Sequence, residues 1–271
     1  MKLSIITINY NNRSGLRKTI ESIVNQTLQE FEYIIIDGGS TDGSVEVIKE
    51  YADRIDYWVS EPDKGIYDAM NKGIDQAKGE YCLFMNSGDC VYHPTTVAEV
   101  YTQLDGTDII SGTTITDQGV VWAAPNTINF RFLFETTVNH QSTFIHLQMM
   151  KRLKYDTSYK IVSDWKFLLE CLIIHNGSYK AIKSTIALYD TSGISSINLE
   201  HLIKERLEIL SALIPERILN DYKTSQEENL YRIITEHRLH KLFYALNVLP
   251  FKVASFFSSK SKWARKFPFM I

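Results

Sequence analysis

Polar side chains recur in this chain where short apolar runs end. Thr7, Asn9 and Tyr10 close the run Leu3–Ile8, Asp37 closes Phe31–Ile36, and Asn86 and Asp89 close Glu80–Met85. An aromatic ring such as Tyr10 beside an acceptor such as Asp37 suits a nucleobase, the ring stacking and the carboxylate taking an N–H. A loop carboxylate such as Asp89 suits Mg2+ or Mn2+, hard ions held by one or two carboxylates together with phosphate oxygens. Base, diphosphate and divalent metal along one edge are the parts of a nucleotide-sugar site. Strand ends always meet turns that favour Asp, Asn and Gly, but three such ends carrying carboxylates, amides and an aromatic point to a shared edge. The glycines of Asp37–Gly43 form no G-x-G-x-x-G, and no G-x-x-x-x-G-K-[ST] occurs, so a dinucleotide fingerprint and a P-loop are both excluded.

The runs that carry these residues alternate with helical patterns. Leu3–Ile8 is almost continuously apolar, as suits a strand buried on both faces of a parallel sheet. Ser14 is the expected cap of a helix over Gly15–Asn25, with Leu16, Ile20, Ile23 and Val24 on one face. Phe31–Ile36, Tyr57–Val59 and Glu80–Met85 read as further strands. A short helix through Val45–Tyr51 and one over Ile66–Ala77, ended by Gly79, lie between them. Such alternation predicts an α/β fold with a mostly parallel sheet, whose ligands bind outside the carboxyl ends of the strands. Further on, Thr95–Leu104 and Ile161–Ile174 read as helices, and Asp108–Gly112, Val120–Ala123 and Ala181–Leu188 as strands. Phe130–Phe134 carries no assignable pattern. From Leu199 to about Leu249 the pattern is helical, broken near Pro215.

Composition limits the classes available. Of 271 residues 44% are hydrophobic and 23% charged, which excludes disorder and fibrous structure. The net charge of −3 gives no general basic field for nucleic acid. Three cysteines (Cys82, Cys90, Cys171) without C-x-x-C spacing fit a reducing compartment. Cys90 reads as a small buried residue. Met1-Lys2-Leu3 leads straight into a strand with no signal-peptide pattern, and no apolar stretch is long enough to span a membrane, so a cytoplasmic location is expected.

Three segments carry a family resemblance. Ile5-Ile6-Thr7-Ile8-Asn9-Tyr10-Asn11, Ile36-Asp37-Gly38-Gly39-Ser40-Thr41-Asp42-Gly43 and Glu61-Pro62-Asp63-Lys64-Gly65-Ile66-Tyr67-Asp68-Ala69-Met70-Asn71-Lys72-Gly73 resemble, in this order, the opening of the family 2 glycosyltransferases of GT-A fold. The likeness is strong over the first hundred residues and looser to about residue 200. It implies a GT-A domain over 1–198, a mixed but mostly parallel central sheet flanked by helices, with a helical extension over 199–271. It further implies that Tyr10 and Asp37 hold the nucleobase, that Thr7 and Asn9 shape that pocket, that Asp63 and Lys64 lie near the nucleotide, and that Asn71 braces the loop above it. Phe84–Asp89 stands where the family has its metal-binding D-x-D; with Asn86 and Gly88 in place of carboxylates, only Asp89 remains as a charged ligand for Mn2+ or Mg2+. Ser163-Asp164-Trp165 resembles the family's base motif, which makes Asp164 the general base of an inverting single displacement; on its own, Asp before an apolar periodic run reads as a helix cap. His140-Gln141-Ser142-Thr143 resembles a segment on the acceptor side, and Asp190–Ser196 a Gly/Ser loop that closes over the diphosphate.

The last stretch differs in composition. Phe251–Ile271 holds five basic residues and no acidic one, interleaved with Phe and Trp, as an interfacial membrane anchor requires. The alternative is a tail packed on the domain. The expected partners are a nucleotide-sugar donor, with a lean towards UDP, and a glycan or lipid-linked acceptor, with peripheral membrane contact through 251–271 and no nucleic acid. Two other readings are a sugar-nucleotide nucleotidyltransferase, which wants a Gly-rich basic loop that Asn9–Ser14 lacks, and a catalytically silent glycan- or nucleotide-binding subunit, suggested by the thinned metal motif.

Overall fold

The computed structural model describes residues 1–191 and 199–223. Seven buried residues in a row form β1 (Leu3–Asn9), and the parallel strands β2 (Glu32–Asp37) and β4 (Tyr81–Phe84) flank it. β3 (Tyr57–Ser60) adds to β2, also in parallel. Beyond β4 the sheet turns mixed. β8 (Thr143–His146) runs antiparallel between β4 and β6 (Ile109–Thr116), and β9 (Tyr179–Tyr189) lies parallel to β6. The order is β3-β2-β1-β4-β8-β6-β9-β5, where β5 is the two-residue strand Cys90–Val91; β7 (Val121–Trp122) pairs with β6 off this path.

Helices cover both faces of the parallel part. Leu3 and Ile5 share a core with Leu16, Ile20 and Ile23 of α1 (Arg13–Val24), Val47 and Ile48 of α2 (Ser44–Glu50), and Val97 and Val100 of α4 (Thr96–Tyr101). Ile6 and Ile36 face the other way, against Gly73 of α3 (Ile66–Gln76). This period-two alternation is why β1 reads as an unbroken apolar run. Later in the chain come α5 (Phe130–Glu135), α6 (Leu147–Leu153) and α7 (Ser163–Leu169), the last continuing as a π-helical turn over Glu170–Ile174.

Several expected boundaries move. Asn12, not Ser14, caps α1, its side-chain oxygen accepting from the Gly15 N–H at 3.1 Å. α3 ends at Ala77, whose extended backbone stops the helix before Gly79. The continuous helix expected over Ile161–Ile174 starts at Ser163 and widens after Leu169. Residues 1–209 form one compact unit and 210–271 a second. The division falls inside α8 (Leu199–Leu213), where the sequence places it before that helix. In the second unit α9 (Glu216–Lys223) starts after Pro215, the expected break. The tail 251–271 lies outside the described residues. Among the described residues no helix is long and apolar enough to cross a membrane.

Candidate active site

Parallel pairing brings the first polar cluster together. Asn9, Asp37 and Ser60 stand opposite one another at the ends of β1, β2 and β3. Asp37 is fully buried, and its two oxygens accept four hydrogen bonds: from Asn9 Nδ2 (2.7 Å), Ser40 Oγ (2.6 Å), the Ser40 N–H (2.9 Å) and Ser60 Oγ (2.6 Å). A carboxylate has about four acceptor positions, so Asp37 is filled by closing the turn after β2, whereas Asn9 uses only Nδ2 and its buried Oδ1 has no hydrogen-bond partner among the described residues. A nucleobase would have to displace a serine hydroxyl to reach Asp37. Thr7 is likewise buried and bonded to the Met85 carbonyl (2.8 Å), so it belongs to the sheet interior and not to a pocket wall. The surface above is formed by Tyr10, a residue 66% exposed, and by Asp63. Gly38 lies between them; a Cβ there would stand 2.5 Å from Asp63 Oδ2 and 3.1 Å from Tyr10 Cδ2. Lys64 is exposed on the same loop. Asn71 does not face this loop: its amide pairs with the backbone N–H and C=O of Tyr155, bracing the chain after α6.

The second cluster follows β4. Thr19 of α1 clamps the loop Asn86–Asp89, accepting the Gly88 N–H (3.0 Å) and donating to the Asp89 carbonyl (2.6 Å). Gly88 has φ +109°, a conformation suited to glycine alone, and a Cβ there would lie 3.1 Å from Asp190 Oδ2. The Asp190 carboxylate thus stands beside the space a side chain at position 88 would enter, brought there by the antiparallel β5–β9 pair. The Asp190 N–H donates to Asp89 Oδ1 at 2.9 Å. Burial pushes the Asp89 carboxyl up to about 6, with the Asp190 charge adding to the rise and His140 and Lys18 opposing it. Two adjacent carboxylates with hard oxygen donors fit Mg2+ or Mn2+ sharing a diphosphate. Among the described residues no group of three or more Asp, Glu, His or Cys side chains that could hold a metal ion exists.

The third cluster is built around Asp164, the second residue of α7. Its Oδ1 accepts the Trp165 N–H (2.9 Å) and lies 3.1 Å from the Tyr67 hydroxyl; its Oδ2 faces His140 Nδ1 at 3.6 Å. Burial works to raise the Asp164 pKa, but His140, the Trp165 N–H and Tyr67 outweigh it and hold the carboxyl below its usual range. Burial works to lower that of His140, and Asp164 and then Asp89 overcome it, so the imidazole is raised. The two shifts are reciprocal: each partner favours the charged form of the other. On its other side, His140 Nε2 lies 3.2 Å from Asn86 Nδ2. His140 thus joins the Asp89 loop to Asp164. Gln141 is buried, 2% exposed. Tyr67, Asp190 and Asn86 gain roles here that the sequence did not give them; Tyr67 was visible as a phenol inside the Glu61–Gly73 segment. Only Asp190 and Thr191 of the expected Asp190–Ser196 loop are described.

Fold and site together define a GT-A glycosyltransferase. The sequence matches the profile of "Glycosyl transferase family 2" over residues 4–178. The chain belongs to that family and is a transferase. It is 30% identical over 203 residues to an uncharacterized glycosyltransferase of Mycobacterium tuberculosis, covering 72% of this chain and 77% of that one. The fold resembles a crystal structure of S. aureus TarS 1-349 (TM-score 0.61, 19% identity, 70% of this chain), of which the chain spans 61%. The same fragment solved in complex with UDP-GlcNAc gives a TM-score of 0.63 at 18% identity, covering 80% of this chain and 69% of that one. The mannosyltransferase PcManGT from Pyrobaculum calidifontis, solved with GDP-Man and Mn2+, covers 93% of this chain and 88% of its own at TM-score 0.59 and 13% identity.

Proposed function

We propose that this enzyme transfers a sugar from a nucleoside diphosphate sugar, UDP-linked, to a hydroxyl of a glycan or lipid-linked acceptor with inversion at the anomeric carbon. The observation that carries the reading is the link through His140: one imidazole lies 3.6 Å from the Asp164 carboxylate and feels the charge of Asp89, so a base and a diphosphate site are neighbours. The nucleobase stacks on Tyr10 over Gly38, with an N–H facing Asp63 in place of the engaged Asp37. Asp89 and Asp190 would hold a divalent ion, which would supply positive charge to neutralise the departing diphosphate. Asp164 Oδ2 takes the proton of the acceptor hydroxyl as its oxygen bonds to the anomeric carbon, and the bond to the donor phosphate breaks with its electrons going to the diphosphate. His140 keeps Asp164 ionised before transfer. The basic-aromatic segment 251–271 keeps the enzyme at an anionic membrane face, where a lipid-linked acceptor is presented.

The experiment is Asp164→Asn. General base catalysis contributes typically about 10²–10⁴-fold, so UDP release from a panel of UDP-sugars with Mn2+ should fall by that factor while the thermal shift given by UDP and Mn2+ stays. Wild-type turnover in this variant would remove Asp164 from the role.

A further inference from the structure

We propose that Glu205 and Arg206 of α8 are positioning residues for Asp164, so that a helix beyond the family-matched span completes the catalytic centre. The proposal rests on Asp164 being the base. α7 has Val162 at its N-cap with no side-chain bond to the exposed N–H groups of its first turn, and valine cannot supply one. Glu205, 5% exposed, holds instead the turn just before that helix, from another element. Its Oε1 accepts the Lys160 N–H (2.7 Å) and its Oε2 the Ile161 (3.0 Å) and Val162 (3.2 Å) N–H groups, fixing the turn that leads into Asp164. His201 Nε2 holds the same carboxylate at 3.0 Å.

Arg206 fixes the residue after Asp164. Its guanidinium lies 4.6 Å from the centre of the buried Trp165 ring, and Nη2 donates to the Thr136 carbonyl at 3.1 Å. The Trp165 Nε1–H donates to the Leu133 carbonyl at 2.6 Å, so α5 and α8 together hold the indole. Arg206 Nε is buried without a hydrogen-bond partner. Burial draws the guanidinium down to about 10, and the charge acting the other way is that of Asp164. The titratable groups around Asp164 are Tyr67 from α3, Tyr155 after α6, His140 before β8 and Arg206 from α8. Arg206 is the one of these whose removal takes a permanent positive charge from the base.

The test uses the full chain and reads kcat, donor KM and the pH profile of kcat/KM as UDP release with Mn2+, beside the thermal shift given by UDP and Mn2+. Arg206→Met should leave that shift and the donor KM within twofold, lower kcat tenfold or more, and move the acidic limb of kcat/KM to higher pH, because a cation favouring the ionised carboxylate is gone. Arg206→Lys should return the limb but only part of kcat, since lysine lacks the planar face that covers Trp165. Glu205→Gln should lower kcat with the limb in place. Combined with Asp164→Asn, Arg206→Met should add no further loss, as expected of residues that act as a unit. Wild-type kcat and limb in Arg206→Met, or losses that multiply in the double variant, overturn the proposal. If Arg206→Met does not unfold cooperatively, Arg206→Lys and Glu205→Gln decide, and wild-type kcat in both overturns it. Full turnover in Asp164→Asn alone would instead mark failure of the base assignment.

Discussion

Replacing Asp89 by Asn should make the donor-free protein more stable while abolishing its use of metal. Asp89 is 6% exposed and its carboxyl stands at about 6, against 3.8 for an unperturbed carboxyl. Because the folded chain binds this proton more tightly than the unfolded chain, ionisation destabilises the fold. Above pH 7, where the group is ionised in both states, the difference amounts to about 3 kcal/mol. As pH falls through 6 the folded chain takes up the proton and the penalty shrinks, to between about 1 and 2 kcal/mol at pH 5 and to nothing below the unfolded value. Asparagine keeps an oxygen to accept the Asp190 N–H and carries no charge. The variant should therefore melt several degrees higher than the parent at pH 7.5, at about 2–4 °C per kcal/mol for a unit of this size, with the gain roughly halved at pH 5. Added UDP and Mn2+ should raise the melting temperature of the parent by mass action and leave the variant unmoved. A variant that melts at or below the parent at pH 7.5, or whose gain does not shrink at pH 5, would refute the reasoning.

Three further outcomes separate the parts of the site. Tyr10→Ala, at a 66% exposed position, should not change melting but should weaken UDP binding by about 5- to 150-fold in calorimetric titration, the range of one base–aromatic stack; unchanged affinity would move the nucleobase elsewhere. Thr7→Val should do the reverse. It removes the bond to the Met85 carbonyl and costs about 1–3 kcal/mol in denaturant unfolding, with the donor KM intact. Deleting Phe251–Ile271 should release the protein from anionic vesicles in flotation, and full retention would exclude the tail as anchor.

The parallel half of the fold was legible because its strands are buried on both faces: Leu3–Asn9 and Glu32–Asp37 leave continuous apolar runs that end where the chain must turn. β8 was not. Its four residues Thr143–His146 pass straight into α6 with no turn residue between, and its antiparallel place between β4 and β6 depends on partners far away in sequence. The same difference runs through the site. Tyr10, Asp63, Asp89 and Asp164 stand in local patterns that suggest the roles proposed for them. Asp37 carries the strongest local pattern, yet four donors from its own turn and the ends of β1 and β3 occupy it, a fact that only the register of three strands decides.

Position 88 makes the point physically. Read along the chain, Asn86-Ser87-Gly88-Asp89 has lost a carboxylate. In space the loss is a consequence of geometry: the backbone there sits at φ +109°, which side chains other than hydrogen resist, and the room a side chain would need is bounded by the Asp190 carboxylate. The two-residue strand β5 returns the chain against the end of β9, and that pairing, not spacing in sequence, sets two acids together. Their proximity raises the cost of ionising Asp89, and a divalent ion relieves the same cost. If Asp89 and Asp190 hold a divalent cation as proposed, the charge that burial makes costly at Asp89 is the charge that cation would balance.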